Sequence, residues 1–510
     1  MKRFVFILSM SLLLGCSSTK VEKQKTSSSD GKVTFKIVQI NDVYEIDPLN
    51  DGEYGGMARV AHVRDSIKKE NPNTFIFLAG DFLNPSLLGT IKVDGKRLQG
   101  KQMVDVMNAM DFDLVTFGNH EFDLKESDLQ DRLDESRFNW TSANTRQVTS
   151  KGLEPFYSKR GSQKIPVSDY EVYEIKDTDG DVLKFGVISV TIDSNPKDFV
   201  SYADVYTEAE RAYKLAKKES DFVVGLTHVA LEQDQRIAQL IPDLPLIMGG
   251  HEHYNMLVKE GNTIITKADA NAKTLYVHTF TYDLNNKNLI FDSELVHITA
   301  NTPSNPEVEK VVDKWVKILD DNLKEIISNP DEVIFHAEIP WDGTDESSRS
   351  KQTNVGEVIT KSMMKMYPET TGAIVNGGSI RIDDELSGNI TSKDIFRILL
   401  FGGQVLKVEI KGNLLSDVLD FGEKASGTGA YLQRHNFSKT SEGSWKIGNE
   451  KINPEKTYAV AMSDFLLLGL DIPFLTADHK DIVSVYRPSP EQTAKDIRKA
   501  IIEYLKAGGK

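Results

Sequence analysis

The sequence predicts an α/β protein with two folded domains, a layered α/β domain over residues 33–300 and a second α+β domain over residues 333–510. Three observations carry this. Five short runs rich in Val, Ile and Phe read as buried strands rather than helices, and helical patterns alternate with them in a βαβ rhythm. A break at Thr302-Pro303-Ser304-Asn305-Pro306 then separates this half from another series of strands and helices. A length of 510 residues fits two or three domains at roughly 100–200 residues each.

Taken in order, Met1-Lys2-Arg3 is a basic start, Phe4 to Leu14 is apolar, and Leu13-Leu14-Gly15-Cys16 follows. These are the parts of a secretory signal over residues 1–15. The ending is similar to a bacterial lipobox, which implies cleavage before Cys16, lipid on that cysteine, and a protein anchored by it on the extracytoplasmic side of a membrane. Cys16 is the one cysteine of the chain, so no intramolecular disulfide is available. Residues 16–32 are Ser-, Thr- and Lys-rich and read as a flexible tether. No later segment approaches the roughly 18 apolar residues of a membrane-spanning helix.

Within residues 33–300, Met57 to Lys69, Gln102 to Met110 and Glu208 to Lys218 show helical spacing, and residues 272–298 read as two paired strands. Glu307 to Ile327 is a long amphipathic helix inside a linker of residues 301–332, and Asn329-Pro330 ends it. A final helix is expected from Glu491 to Leu505. Composition is that of a globular protein, with 39% hydrophobic and 27% charged residues. The net charge of −15 argues against binding a nucleic-acid duplex, which requires basic patches. An acidic protein that hydrolyses anions needs local positive charge, which bound metal supplies.

The five strand-like runs each end on a side chain able to bind metal. Val33–Ile40 runs into Asn41-Asp42, Thr74–Gly80 into Asp81, Leu114–Gly118 into Asn119-His120, Phe222–Thr227 into His228, and Leu246–Gly250 into His251-Glu252-His253. Functional groups collect beyond the carboxyl ends of strands in an α/β sheet, so one rim is expected to gather them. Asp42, Asp81, Asn119, His228, His251 and His253 are the hard oxygen and imidazole donors of a two-metal hydrolase, with Asp81 placed to bridge. In Gly118-Asn119-His120-Glu121-Phe122-Asp123, His120 is positioned to stabilise phosphoryl charge or protonate a leaving alkoxide. Asp123 is positioned to fix its tautomer and raise its pKa.

In this order the motifs resemble those of the calcineurin-like metallophosphoesterases and, more narrowly, of the two-domain 5′-nucleotidases. The resemblance covers nearly all of residues 33–505. It implies a four-layer α/β/β/α domain joined by the long helix to a 5′-nucleotidase C-terminal domain. It implies two divalent ions (Mn, Zn, Co or Fe), with Asp42 and His253 on one, Asn119, His228 and His251 on the other, and Asp81 between. It also implies His120 and Asp123 as a catalytic dyad, and in-line attack of a metal-bound water on a nucleoside 5′-monophosphate. Hydrolysis of 2′,3′-cyclic nucleotides or UDP-sugars, or a nucleotide-binding lipoprotein with a weakened metal site, are the alternatives. The family's Asp-x-His is here Asp42-Val43-Tyr44-Glu45, which leaves open whether Tyr44 or Glu45 replaces the histidine. In the second domain, Asn376-Gly377-Gly378-Ser379-Ile380-Arg381 is similar to the family's nucleotide motif and implies contacts from Asn376 and Arg381. Arg349 stands where a substrate-binding arginine is expected, and Phe401 and Phe474 are expected to clamp the base.

Overall fold

The computed structural model describes residues 29–50 and 52–509. The predicted signal segment and Cys16 lie outside the described residues. The stretch read as a tether is tied down at its end. Ser29 Oγ and the Gly31 N–H bond to Asp181, the Asp30 N–H bonds to Asp179, and a strand begins at Lys32.

All five apolar runs are strands, but they divide between two six-stranded sheets rather than lining one. The first sheet runs in the order Asn288–His297, Thr274–Asp283, Lys32–Ile40, Thr74–Leu78, Leu114–Thr116, Asn139–Thr141. Its last four strands are parallel, and the predicted hairpin of residues 272–298 closes its other edge. The second runs Tyr170–Lys176, Val182–Ile188, Phe222–Thr227, Leu246–Gly249, Thr263–Lys267, Met256–Glu260, with its four central strands parallel. The sheets pack face to face through rings: Phe35, stacked on its cross-strand partner Phe280 in the first sheet, also stacks 4.7 Å from Phe185 of the second.

Helices cover the outer faces. Met57–Glu70 and Lys101–Ala109 lie on the first sheet, and Val205–Glu219 and Leu231–Leu240 on the second. The result is the four-layer α/β/β/α arrangement. Polar groups also sew the two sheets together. The fully buried Gln39 donates to the carbonyls of Gly249 (3.1 Å) and Thr266 (2.9 Å) and accepts from Thr266 Oγ1 (2.7 Å).

The linker helix is Pro306–Ile326. Asn305 caps it by accepting from the N–H groups of Glu307 and Val308, and Pro306 suits the first turn because its missing N–H is not needed there. Its face of Val308, Val312, Trp315, Leu319 and Leu323 joins one apolar cluster that reaches into both domains. The second domain holds a five-stranded mixed sheet ordered Leu432–His435, Gly372–Asn376, Thr457–Ser463, Val405–Lys411, Ile482–Tyr486. The last helix is shorter than predicted, Ile497–Lys506. Asp496 caps its start by accepting from the Arg498 N–H, and a 3-10 turn, Thr493–Lys495, takes the place of the expected first turns.

His278 lies in the same inter-sheet network. Its Nε2 donates to Gln39 Oε1 (2.9 Å), which leaves Nδ1 to accept from Ser293 Oγ (2.8 Å). Burial pushes its pKa down to about 3. The folded chain therefore refuses a proton that the unfolded chain takes up below pH ~6.5, so stability is lost as pH falls from there toward 3, by about 1.4 kcal/mol per pH unit. At pH 7 His278→Gln is expected to melt below the wild type. The gap in melting temperature should narrow steadily in scans from pH 7 to pH 4; a constant gap would show that His278 is protonated in the folded protein.

Candidate metal centre and catalytic dyad

Tight, strained turns aim the strand-end side chains inward. Asp42 (φ 52°), Asp81 (φ 57°) and His251 (φ 84°) all adopt left-handed backbone, uncommon for non-glycine residues and best tolerated by Asp, Asn and His. Close packing makes two glycines obligatory. A Cβ on Gly80 would meet the Gly118 nitrogen and His228 Nδ1 at 2.6 Å, and one on Gly118 would strike Asp81 Oδ1 at 2.1 Å.

The carboxylates and imidazoles converge from both sheets. Ligand atoms of Asp42, Asp81 and His228 all lie within 4.8 Å of one another, and all three residues are buried. Asp81 Oδ1 accepts the His120 N–H (2.7 Å), while Oδ2 faces His228 Nε2 (3.1 Å) and the Tyr44 phenol (3.4 Å). His228 Nε2 also lies 3.2 Å from Asn119 Oδ1. Asp42 Oδ2 accepts from Asn41 (2.8 Å) and from the His251 N–H (3.0 Å). Asp42 Oδ1, 3.5 Å from His253 Nε2, is buried without a hydrogen-bond partner. The His251 ring lies 5.4 Å from that of His228. The six predicted ligands thus meet at one rim.

These residues fit a pair of divalent ions. The buried, unpartnered Asp42 Oδ1 has a lone pair with no protein donor. His228 Nδ1 donates to the Ala79 carbonyl and His253 Nδ1 to that of Asp383, each at 2.7 Å, which turns both Nε2 atoms toward the acids. Metal-binding histidines are oriented in this way. Burial disfavours the His228 cation, but the charges of Asp81 and Asp42 override it and push the imidazole up to about 9. Burial and the neighbouring His228 bring His251 down to about 4.

The dyad stands beside this cluster. His120 Nδ1 bonds to Asp123 Oδ2 (2.8 Å), and its Nε2 lies 3.9 Å from Asp345 of the second domain. Burial opposes charge on His120, yet Asp81, Asp123 and Asp345 raise it to about 10. Burial likewise opposes charge on Asp123, but His120 and Arg381 hold it well below the usual carboxylate range.

Several residues that hold the site carried no sequence signal of their own. Glu121, inside the strongest motif but given no role, accepts from four backbone N–H groups: Asp81 (2.9 Å), Phe82 (2.8 Å), Leu83 (3.1 Å) and Gly118 (2.6 Å). Asn84 and Asn195 donate to Asp123 at 2.9 and 3.0 Å, and Asn195 also to the Asn119 carbonyl. Lys267, fully buried, donates to the Val229 (2.7 Å) and Gly250 (2.8 Å) carbonyls and pairs with Asp234 (3.0 Å) and Glu252, so it fixes the loop bearing His251 and His253. For Asn195, the turn composition of Asp193-Ser194-Asn195-Pro196 was the one available hint.

The second domain reaches across to the dyad. Arg381 donates to Asp123 Oδ2 (2.9 Å), and Arg349 pairs with Asp345 (2.5 Å). Both guanidiniums keep a buried Nε without a partner. Asn376 donates to Asp471 (2.8 Å) and accepts from Ser379 (2.6 Å). Gln433, fully buried, ties down the Arg349 segment through the carbonyls of Ser348 and Lys351 and the Thr353 N–H. Phe401 stands exposed with its ring 6.0 Å from the Arg381 guanidinium. Phe474 is placed differently from the expected clamp, half-buried and edge-on to Phe421 at the margin of the second domain's own core. Packing against Phe421 satisfies that ring.

A two-sheet sandwich with acids and imidazoles at converging strand ends, and an Asp-supported histidine beside them, defines a metallophosphoesterase. Residues 35–255 match the family described as calcineurin-like phosphoesterase, and residues 333–477 match the 5′-nucleotidase C-terminal domain. The chain belongs to the 5′-nucleotidase-like metallophosphoesterases that combine these two domains. Human 5′-nucleotidase is 24% identical over 74% of this chain and 68% of its own. The trifunctional nucleotide phosphoesterase YfkN of Bacillus subtilis (strain 168) is 25% identical over 87% of this chain, which spans 34% of that relative's length. The structure of a 5′-nucleotidase precursor from Thermus thermophilus shares the fold, with a TM-score of 0.66 over 93% of this chain and 96% of that one, at 22% identity.

Two outcomes test this site. Glu121→Gln leaves at least two buried N–H groups unpaired, each costing about 1–3 kcal/mol; a lower melting temperature and weaker metal binding are expected together in calorimetry. Because His228 holds a proton up to about pH 9, metal uptake must release it. Affinity should therefore fall about tenfold per pH unit below that value for each proton displaced, checked by titration in buffers of different ionisation enthalpy.

Proposed function

We propose that this protein is an extracytoplasmic phosphohydrolase that releases phosphate from nucleoside 5′-monophosphates. The observation that carries the reading is the meeting of the two domains at the dyad. Arg381 bonds to the same Asp123 oxygen that orients His120, beside the Asp42, Asp81 and His228 cluster. Divalent ions held by Asp42, Asp81, Asn119, His228, His251 and His253 would supply the Lewis acidity and charge neutralisation that a phosphate dianion needs.

This chain's own groups supply the rest. Asp123 accepts from His120 Nδ1, so in the imidazolium form the second proton, on Nε2, faces the domain interface, where a leaving oxygen can take it. With two carboxylates and Asp345 close by, His120 is protonated at neutral pH and serves as the acid. Arg349 and Arg381, each with a free Nε, are suited to an anionic group. The exposed face of Phe401 offers a surface on which a base can stack, a contact that contributes roughly 1–3 kcal/mol and tolerates different bases. Asn376, next to the Gly377-Gly378 turn and bonded to Asp471 and Ser379, would meet the sugar by exchanging those partners.

The trifunctional Bacillus relative favours a second reading, in which the same centre accepts other nucleotide phosphoesters, including cyclic or sugar-linked ones. The extracytoplasmic placement rests on the lipobox-like Leu13-Leu14-Gly15-Cys16. Among the described residues no helix is long and apolar enough to cross a membrane.

Product formation after metal stripping and add-back of Mn, Zn, Co or Mg decides between these: free phosphate from AMP, a nucleoside monophosphate from a 2′,3′-cyclic nucleotide, and UMP with a sugar phosphate from a UDP-sugar. AMP is expected to be turned over best. His120→Ala should lower kcat by about 10²–10⁴-fold, the usual contribution of a general acid, with little change in KM. Arg381→Ala should raise KM as well as lower kcat. Nucleotide binding without turnover of any of the three under every ion would remove the hydrolase reading and leave a binding lipoprotein.

A further inference from the structure

Asp42-Val43-Tyr44-Glu45 carries no histidine, so the ion held by Asp42 and His253 lacks a ligand that the strand-end pattern supplies elsewhere. Two neighbouring side chains are available, and the fold points them in opposite directions. The backbone N–H groups of Tyr44 and Glu45 both donate to Asn271 Oδ1, at 3.0 and 3.2 Å, which pins this turn. Glu45 then faces away from the metal centre. Its carboxylate lies 3.6 Å from Arg397 Nε and lines an interdomain cavity of about 190 Å³ with Asp47, Lys393 and Arg397. Tyr44 faces in and is 2% exposed.

We infer that Tyr44 is a ligand of the first ion, through its phenol oxygen, in the position where related sites use histidine; this rests on the metallohydrolase reading above. The spacing of the donor atoms carries it. Tyr44 Oη lies 3.2 Å from His253 Nε2 and 3.4 Å from Asp81 Oδ2, and His253 Nε2 lies 3.5 Å from Asp42 Oδ1. Ligands at 2.0–2.2 Å around a tetrahedral ion stand roughly 3.3–3.6 Å apart. A buried phenol that simply donated to a carboxylate would close to about 2.5–2.7 Å. Here it stays at ligand spacing from the Asp81 carboxylate, 3.4 Å, and close to it from His253, 3.2 Å, beside an Asp42 oxygen with no protein partner. On binding, an oxygen–metal bond forms and the phenol proton passes to solvent. An anionic oxygen in place of a neutral imidazole shifts preference toward harder ions, Mn or Fe over Zn.

The test counts ions and watches the tyrosine. Metal-stripped full-length protein is titrated with Zn(II), Mn(II) and Fe(III), with bound ions measured by equilibrium dialysis and the ultraviolet difference spectrum recorded. Two ions per chain with the absorbance change of an ionised tyrosine are expected, and Fe(III) should add a visible charge-transfer band. Tyr44→Phe should lose both signals and bind one ion at least about tenfold more weakly, since even outer contacts to metal ligands contribute about 10–100-fold. Tyr44→His should regain that ion without the signals. Two ions in the wild type with no tyrosine signal would overturn the assignment. So would unchanged affinity for both ions in Tyr44→Phe, or an ion lost from Glu45→Gln but kept by Tyr44→Phe. If the wild type releases phosphate yet shows no signal, only Tyr44 falls; if it binds no ion, the metallohydrolase reading falls with it.

Discussion

The Glu121 carboxylate accepts the N–H groups of Asp81, Phe82, Leu83 and Gly118, and through them it holds two of the loops that build the metal centre in one rigid piece. Burial and the nearby Asp81 charge push its pKa up to about 7, but four aligned donors favour the charged form. That constraint places Asp81 where its two oxygens have separate tasks. One receives the His120 N–H, and the other faces His228 and Tyr44. The dyad and the ligand set therefore share a single anchored carboxylate.

The rest of the site follows from packing two sheets at close quarters. Strained backbone at Asp42, Asp81 and His251 persists because the surroundings over-determine it. Asn41 bonds to Asp42 and to both backbone groups of Ala268, while Lys267 gathers the Val229 and Gly250 carbonyls with Asp234 and Glu252. An unpaired ammonium at that depth would cost several kcal/mol, so the acids around Lys267 are required by its burial. Gln39 and His278 perform the same service between the sheets, where a polar group without a partner would separate them.

Across the domain boundary, the contacts are made by charged and polar groups as well as by the apolar cluster under the linker helix. Arg381 meets Asp123, Lys273 and Asn271 meet Asp384, and Lys393 meets Asp47. The His253 ring is oriented by a carbonyl of the second domain, so the metal centre is completed by both halves of the chain. Domain position and ligand orientation are thereby linked.

The sequence by itself determined the strands and what they carry. A short apolar run ending in Asp, Asn or His is a local pattern, and the strand ends bearing Asp42, Asp81, Asn119, His228, His251 and His253, together with the His120–Asp123 pair, could be read from it. The linker helix was legible for the same reason, because Asn305-Pro306 caps a helix through its immediate neighbours. Tertiary structure alone decided the rest. Which sheet each strand joins depends on pairing between distant segments, so three ligand-bearing ends come from one sheet and two from the other. Asn84, Asn195, Lys267 and Asp383 act through partners far away in the chain, and apart from the turn composition around Asn195 nothing in their own surroundings marks them. The same holds for Phe401 and Phe474: both are rings in apolar stretches, and only packing left one exposed beside Arg381 and set the other against Phe421. At Tyr44 and Glu45 the sequence offered two donors side by side, and the bonds to Asn271, distant in sequence, turned one inward and the other away.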